Sequence, residues 1–179
     1  MKVRKTVFLI GPRGSGKTTV GNLLAQQLGY GFVDTDNALQ EAIGTSIAHL
    51  VEKEGWSAFR KKEKETLRRV TADRMVIATG GGIVLAEENR QFMQENGFVM
   101  YIDVPVAILT ERLQKNPNEA SRPSLTGQGL LEEIQEIMQE REALYREVAH
   151  YCFAGDGEPT NVAEQMAHLF LATLEKGEE

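Results

Sequence analysis

The chain has 179 residues, enough for one domain with a full core, and its 41% apolar content is that of an ordinary globular protein. A formal net charge of −6 is the opposite of the basic excess that a general nucleic-acid or membrane-surface binder needs, so anionic ligands must be caught by local clusters of Arg and Lys. With Cys152 alone there is no disulfide framework or cysteine-based metal site, and no apolar run nears the roughly 18 residues of a membrane span.

Val7-Phe8-Leu9-Ile10 reads as a strand that begins too early to leave room for a signal peptide, and the chain is expected to be a cytoplasmic single domain over 1–179. The strand runs directly into Gly11-Pro12-Arg13-Gly14-Ser15-Gly16-Lys17-Thr18, and helical periodicity follows from Thr19 to Leu28. Strand, G-x-x-x-x-G-K-T and helix make a P-loop in its proper setting. Gly11, Gly14 and Gly16 permit backbone conformations that a Cβ opposes, so successive N–H groups can face phosphate oxygens. Ser15 and Thr19 belong to the same ATP-binding set. Lys17 is placed to reach the β- and γ-phosphates, and the Thr18 hydroxyl to ligate Mg²⁺.

A second strand, Phe32–Val33, leads into Asp34-Thr35-Asp36. In an extended Asp-x-Asp both carboxylates project to one side, so one can serve Mg²⁺ while the other faces a substrate hydroxyl. Residues 37–72 then read as a helical block inserted into the β-α pattern. Its second half carries an apolar stripe at Trp56, Phe59, Leu67 and Val70, and Arg60 and Glu63 fall on that face. An inward guanidinium is costly unless an anion meets it, and Glu63 at i+3 is one candidate for Arg60.

The third strand, Val76–Ala78, ends in Thr79-Gly80-Gly81-Gly82, a loop in which a ligand can closely approach backbone N–H groups. It carries no acidic residue of the kind motor ATPases place there, and there is no Asn-Lys-x-Asp guanine reader. Metal support is therefore expected from Asp34-Thr35-Asp36. A fourth strand, Val99–Ile102, precedes a polar loop over 116–129, long enough to serve as a lid, with Arg122-Pro123 inside it. The next helix has Ile134, Ile137, Met138, Leu144, Tyr145 and Val148 on one face, with Arg141 among them and no acid three or four positions away. Two inward arginines point to a second substrate bearing a carboxylate or phosphate. Tyr151–Phe153 is the last strand. His49, His150 and His168 share no metal-binding spacing. The pattern predicts a three-layer α/β fold with a parallel sheet covered on both faces.

In this order, the P-loop, Phe32-Val33-Asp34-Thr35-Asp36, Phe59-Arg60-Lys61-Lys62-Glu63, Thr79-Gly80-Gly81-Gly82, Arg122-Pro123 and Glu140-Arg141-Glu142-Ala143-Leu144-Tyr145 resemble the shikimate kinase family over nearly the whole chain. The resemblance implies a P-loop NTPase fold with a five-stranded parallel sheet, the inserted block 37–72 and a lid over 116–129. It implies transfer of the ATP γ-phosphoryl group to the 3-hydroxyl of shikimate, on the route to chorismate and the aromatic amino acids, by a monomer. On that pattern Arg60 and Arg141 clamp the shikimate carboxylate beside Gly80, Gly81 and Gly82, and Asp36 binds the ring hydroxyls. Asp34 supports Mg²⁺ with Thr18, Lys17 and Arg122 stabilise the phosphoryl group in flight, and Arg112 stacks on adenine. The rivals are a P-loop kinase acting on a sugar acid such as gluconate or on a nucleoside monophosphate, and a nucleotide switch without transferase activity.

Overall fold

The computed structural model describes residues 5–116 and 129–177. The short apolar runs form a five-stranded, all-parallel sheet in the order β2-β3-β1-β4-β5. Its strands are β1 (Val7–Ile10), β2 (Gly31–Asp34), β3 (Met75–Ala78), β4 (Phe98–Asp103) and β5 (Tyr151–Ala154). Strands apolar on both faces must be covered on both faces, and β1 is completely buried along its length. The cover comes from α1 (Lys17–Leu28), α4 (Glu87–Asn96), α5 (Val106–Lys115), α6 (Leu130–Val148) and α7 (Pro159–Gly177), and a 3₁₀ turn (Ile83–Leu85) precedes α4.

The sheet register decides where chemistry can occur. Asp34 pairs with Ala78 and Ala78 with Leu9, so β2, β3 and β1 end at one level. The three motifs that leave those ends therefore emerge side by side at the carboxyl edge, where parallel α/β sheets bind ligands.

The block expected over 37–72 is helical, but it starts earlier. The α2 helix (Thr35–Ile43) begins immediately after β2 because the Asp34 carboxylate caps it, accepting from the N–H groups of Asp36 and Asn37 at 2.9 and 3.2 Å. Asp36 thus lies in a first helical turn and not in the extended Asp-x-Asp expected from the sequence. Likewise α1 starts at Lys17, two residues before the expected Thr19.

Helix α3 (Ile47–Val70) is broken at Gly55, whose φ of 85° and ψ of 171° are open to glycine and strained for other residues. Before the break, Ile47 and Leu50 join Leu39 and Phe59 in a small second core. Beyond it, Leu67 belongs to the main core under the sheet. Among the described residues, no helix is long and apolar enough to cross a membrane.

Candidate active site

The P-loop has the backbone its glycines foretell, with φ of 148° at Gly11, 83° at Gly14 and 93° at Gly16. It wraps the start of α1, so that loop amides and the positive helix end face one cleft. Gly14, Ser15, Gly16, Lys17, Thr18 and Thr19 line this cleft together with Asp34, Asp36, Gly80 and Arg112. The Lys17 ammonium folds over the loop, donating to the carbonyls of Gly11 and Pro12 at 2.7 and 2.8 Å and to Ser15 Oγ at 3.3 Å. Thr18 Oγ1 donates to Asp34 Oδ2 at 2.7 Å. These hard oxygen donors, at the mouth of a phosphate loop, are what a small divalent cation takes when substrate phosphates and water complete its shell. Among the described residues, no group of three or more His, Cys, Asp or Glu gathers into a denser metal site.

A second pocket adjoins the cleft and is lined by Arg60, Glu63, Gly80, Gly81, Gly82 and Arg141, with Trp56, Phe59 and Ile137 among its apolar walls. Asp36, Gly80 and Gly81 line both cavities, so the carboxylate of Asp36 stands at their junction. Both arginines do turn inward. Arg141 is 6% exposed, its Nε has no hydrogen-bond partner, and the nearest acid is the neighbouring Glu140 at 3.6 Å. Arg60 donates to Glu63 at 2.8 Å, the i+3 partner expected from the sequence, and lies 5.0 Å from the centre of the Phe59 ring.

Glu63 is buried at 2% exposure and its second oxygen, Oε1, is unpartnered. Burial pushes its carboxyl above the ordinary glutamate value, with the Arg60 guanidinium acting in the opposite sense. The triple-glycine loop explains its own composition by contact. A Cβ at Gly80 would come within 2.8 Å of Asp36 Oδ1, and one at Gly82 would run into both terminal nitrogens of Arg60.

Arg112 borders the cleft, where its guanidinium is held by the carbonyls of Gly155 at 2.7 Å and Gly14 at 3.2 Å. Arg122, expected over the transferring phosphate, and most of the expected lid lie outside the described residues. Two contacts were not foreseen. Thr35, between the two aspartates, accepts from the Gly80 N–H at 3.0 Å and is 1% exposed. Tyr145, on the apolar face of α6, donates its hydroxyl proton to the Gly81 carbonyl at 2.5 Å. The sequence signal for Tyr145 was a polar atom on a face otherwise read as buried, and nothing in the sequence marked Thr35.

A P-loop cleft thus shares an acidic wall with an arginine-lined pocket. A family model described as shikimate kinase matches residues 13–174. The chain belongs to the shikimate kinase family. As a member of the shikimate kinase family it is an ATP-dependent kinase. Shikimate kinase 2 of Escherichia coli is 51% identical over 168 residues, covering 94% of this chain and 97% of that protein. The structure of a shikimate kinase from Acinetobacter baumannii, solved in complex with shikimate, superposes with a TM-score of 0.88 at 34% identity, covering 96% of this chain and 95% of that one. That from Aquifex aeolicus gives 0.80 at 36% identity, covering 93% and 96%. The P-loop NTPase fold and the family resemblance read from the sequence both stand.

Proposed function

We propose that this shikimate kinase family member transfers the γ-phosphoryl group of Mg²⁺-bound ATP to the 3-hydroxyl of shikimate, giving shikimate 3-phosphate and ADP. The observation that carries the reading is the convergence of Arg60 and Arg141 on a pocket joined to the P-loop cleft at Asp36. Shikimate matches that chemistry with one carboxylate for two guanidinium groups and ring hydroxyls for one aspartate. The shikimate bound in the A. baumannii relative supports the same acceptor.

Phosphoryl transfer asks little covalent chemistry of the protein, so the side chains act by positioning and charge. Arg60 and Arg141 hold the acceptor carboxylate. The Gly81 and Gly82 N–H groups, which have no partner among the described residues, are free to donate to the acceptor. Asp36 orients the attacking hydroxyl and accepts its proton as the oxygen bonds to phosphorus. Gly11, Gly14, Ser15, Gly16, Thr18 and Thr19 cradle the phosphates.

Lys17 exchanges its neutral carbonyl partners for phosphate oxygens, and Arg122 meets the same charge from the lid. Arg112 forms one wall for the adenine. Thr18 and Asp34 would hold the Mg²⁺, which would supply positive charge to neutralise the phosphates. We assign the chain to one domain over 1–179, with 37–72 as the acceptor-binding block and 116–129 as the lid, acting as a cytoplasmic monomer.

The test is ADP release from Mg–ATP with shikimate, gluconate or AMP as acceptor. Stimulation by shikimate alone is expected. Stimulation by either other acceptor keeps the kinase and overturns the acceptor assignment.

A further inference from the structure

The Tyr145 hydroxyl lies behind the acceptor pocket and takes no part in the roles assigned above. Its ring is fully buried and stacks on Tyr101 with centroids 5.1 Å apart. A phenol has a single proton, and this one goes to the Gly81 carbonyl at 2.5 Å. The Arg141 guanidinium, one helical turn earlier, acts on this hydroxyl electrostatically. The cation pulls the hydroxyl's pKa down, but burial prevails and pushes it up to about 12, so the group stays a proton donor throughout the physiological range.

The rest of the glycine loop is fastened elsewhere. Gly80 donates to Thr35 and its carbonyl accepts from Ile83, and the Gly82 carbonyl accepts from Leu85. Among the described residues the Gly81 carbonyl has only Tyr145. In a trans peptide the C=O and the following N–H point in opposite directions, so fixing the Gly81 carbonyl aims the Gly82 N–H. Gly82 is also the surface on which the Arg60 guanidinium lies.

We propose that Tyr145 is a positioning residue for the acceptor, one hydroxyl that fixes the Gly81–Gly82 peptide so that the Gly82 N–H is held toward the substrate. The inference rests on the acceptor assignment made above. Tyr145→Phe keeps the ring and its stacking and deletes only the bridge. The shikimate KM is expected to rise about five- to tenfold, with kcat and the ATP KM within about twofold of wild type. Combined with Gly82→Ala, which already disturbs the peptide that the hydroxyl fixes, the substitution should add much less than it does alone.

Tyr101→Phe, which removes the hydroxyl of the stacked neighbour, should leave both KM values unchanged. An unchanged shikimate KM in Tyr145→Phe, an equal rise in both KM values, or full additivity with Gly82→Ala overturns the proposal. Should Tyr145→Phe fail to fold, fluorotyrosine at position 145 keeps ring and hydroxyl while altering its donor strength, and an unmoved shikimate KM there is equally decisive. Absence of shikimate-dependent ADP release by the wild-type enzyme would instead defeat the acceptor assignment itself.

Discussion

Thr18 and Asp34 meet across 2.7 Å, joining the end of the P-loop to the end of β2. One carboxylate thereby has two duties. Asp34 Oδ2 takes the Thr18 hydroxyl, while Oδ1 caps α2. The helical block proposed to bind the acceptor is thus suspended from the residue proposed to support the metal.

The two duties can be separated by substitution. Asn caps a helix about as well as Asp but carries no charge, so Asp34→Asn should retain stability while raising the Mg²⁺ concentration needed for half-maximal activity. Asp34→Ala should show the same Mg²⁺ defect and lose about 1 kcal/mol of stability as well. Thermal melts and Mg²⁺ titrations of the two variants distinguish cap from ligand.

At Asp36 the expected defect lies in turnover. Asp36→Asn preserves shape but accepts no proton, and kcat should fall about 10²- to 10⁴-fold with ATP affinity retained. A variant with wild-type kcat would remove Asp36 from the proton-accepting role. Nucleotide titration by fluorescence, alongside steady-state rates, checks both halves.

Arg141 is buried with its Nε unpartnered, a cost in stability that the proposed acceptor carboxylate would offset. Arg141→Ala should raise the shikimate KM by about 30- to 150-fold, the loss of a charged partner worth about 2–3 kcal/mol, with the ATP KM spared. Arg141→Met, which keeps most of the volume, should show the same KM defect with an unchanged or higher Tm. A large fall in Tm with Met would mean that the guanidinium serves the fold.

Gly82 has a φ of −91°, so Ala at that position meets no backbone strain. Its Cβ would nevertheless displace the Arg60 guanidinium. Gly82→Ala should therefore weaken shikimate about tenfold or more through lost charged hydrogen bonds, with the ATP KM unaffected. Steady-state kinetics with each substrate varied in turn reads this directly.

Burial raises the Glu63 carboxyl's pKa in the folded chain above its unfolded value. Between those two values the folded state holds the proton more tightly, so this group's contribution is fully present below the unfolded value and is lost as pH rises through the folded one. Glu63→Gln removes that dependence. The stability difference between the two proteins should move in favour of Gln as pH rises from about 4 to 7, measured by thermal melts across that range. The same variant should bind shikimate less well, because Arg60 loses its anchor at every pH where Glu63 is ionised.

The fold was legible because its determinants are local. Short continuous apolar runs such as Val99–Ile102, set between helical segments, read as buried strands, and the glycines of the P-loop mark positive φ. Arg60 and Arg141 were legible as anomalies, charges on faces otherwise apolar. What escaped was tertiary. The carboxylate cap of Asp34 turned an expected extended Asp-x-Asp into a helix start, and the side chain's reach to Thr18 depends on sheet register. Thr35 and Tyr145 escaped because their polar atoms bond to a loop 45 and 64 residues away, a separation that periodicity cannot encode.

The Gly55 break divides α3 between two unequal cores, and this division has a thermodynamic reading. Among the described residues, only Leu39, Ile47, Leu50 and Phe59 are buried in the small cluster, whereas the main core runs the breadth of the sheet. Local opening free energy follows buried apolar area, so the segment around α2 and the first half of α3 should exchange its amide protons well before the strands do. The nucleotide cleft rests on the sheet, while the acceptor pocket takes part of its wall from the weaker cluster. Mild denaturant should consequently abolish shikimate affinity at concentrations where ATP still binds, making acceptor recognition the first property this enzyme loses on the way to unfolding.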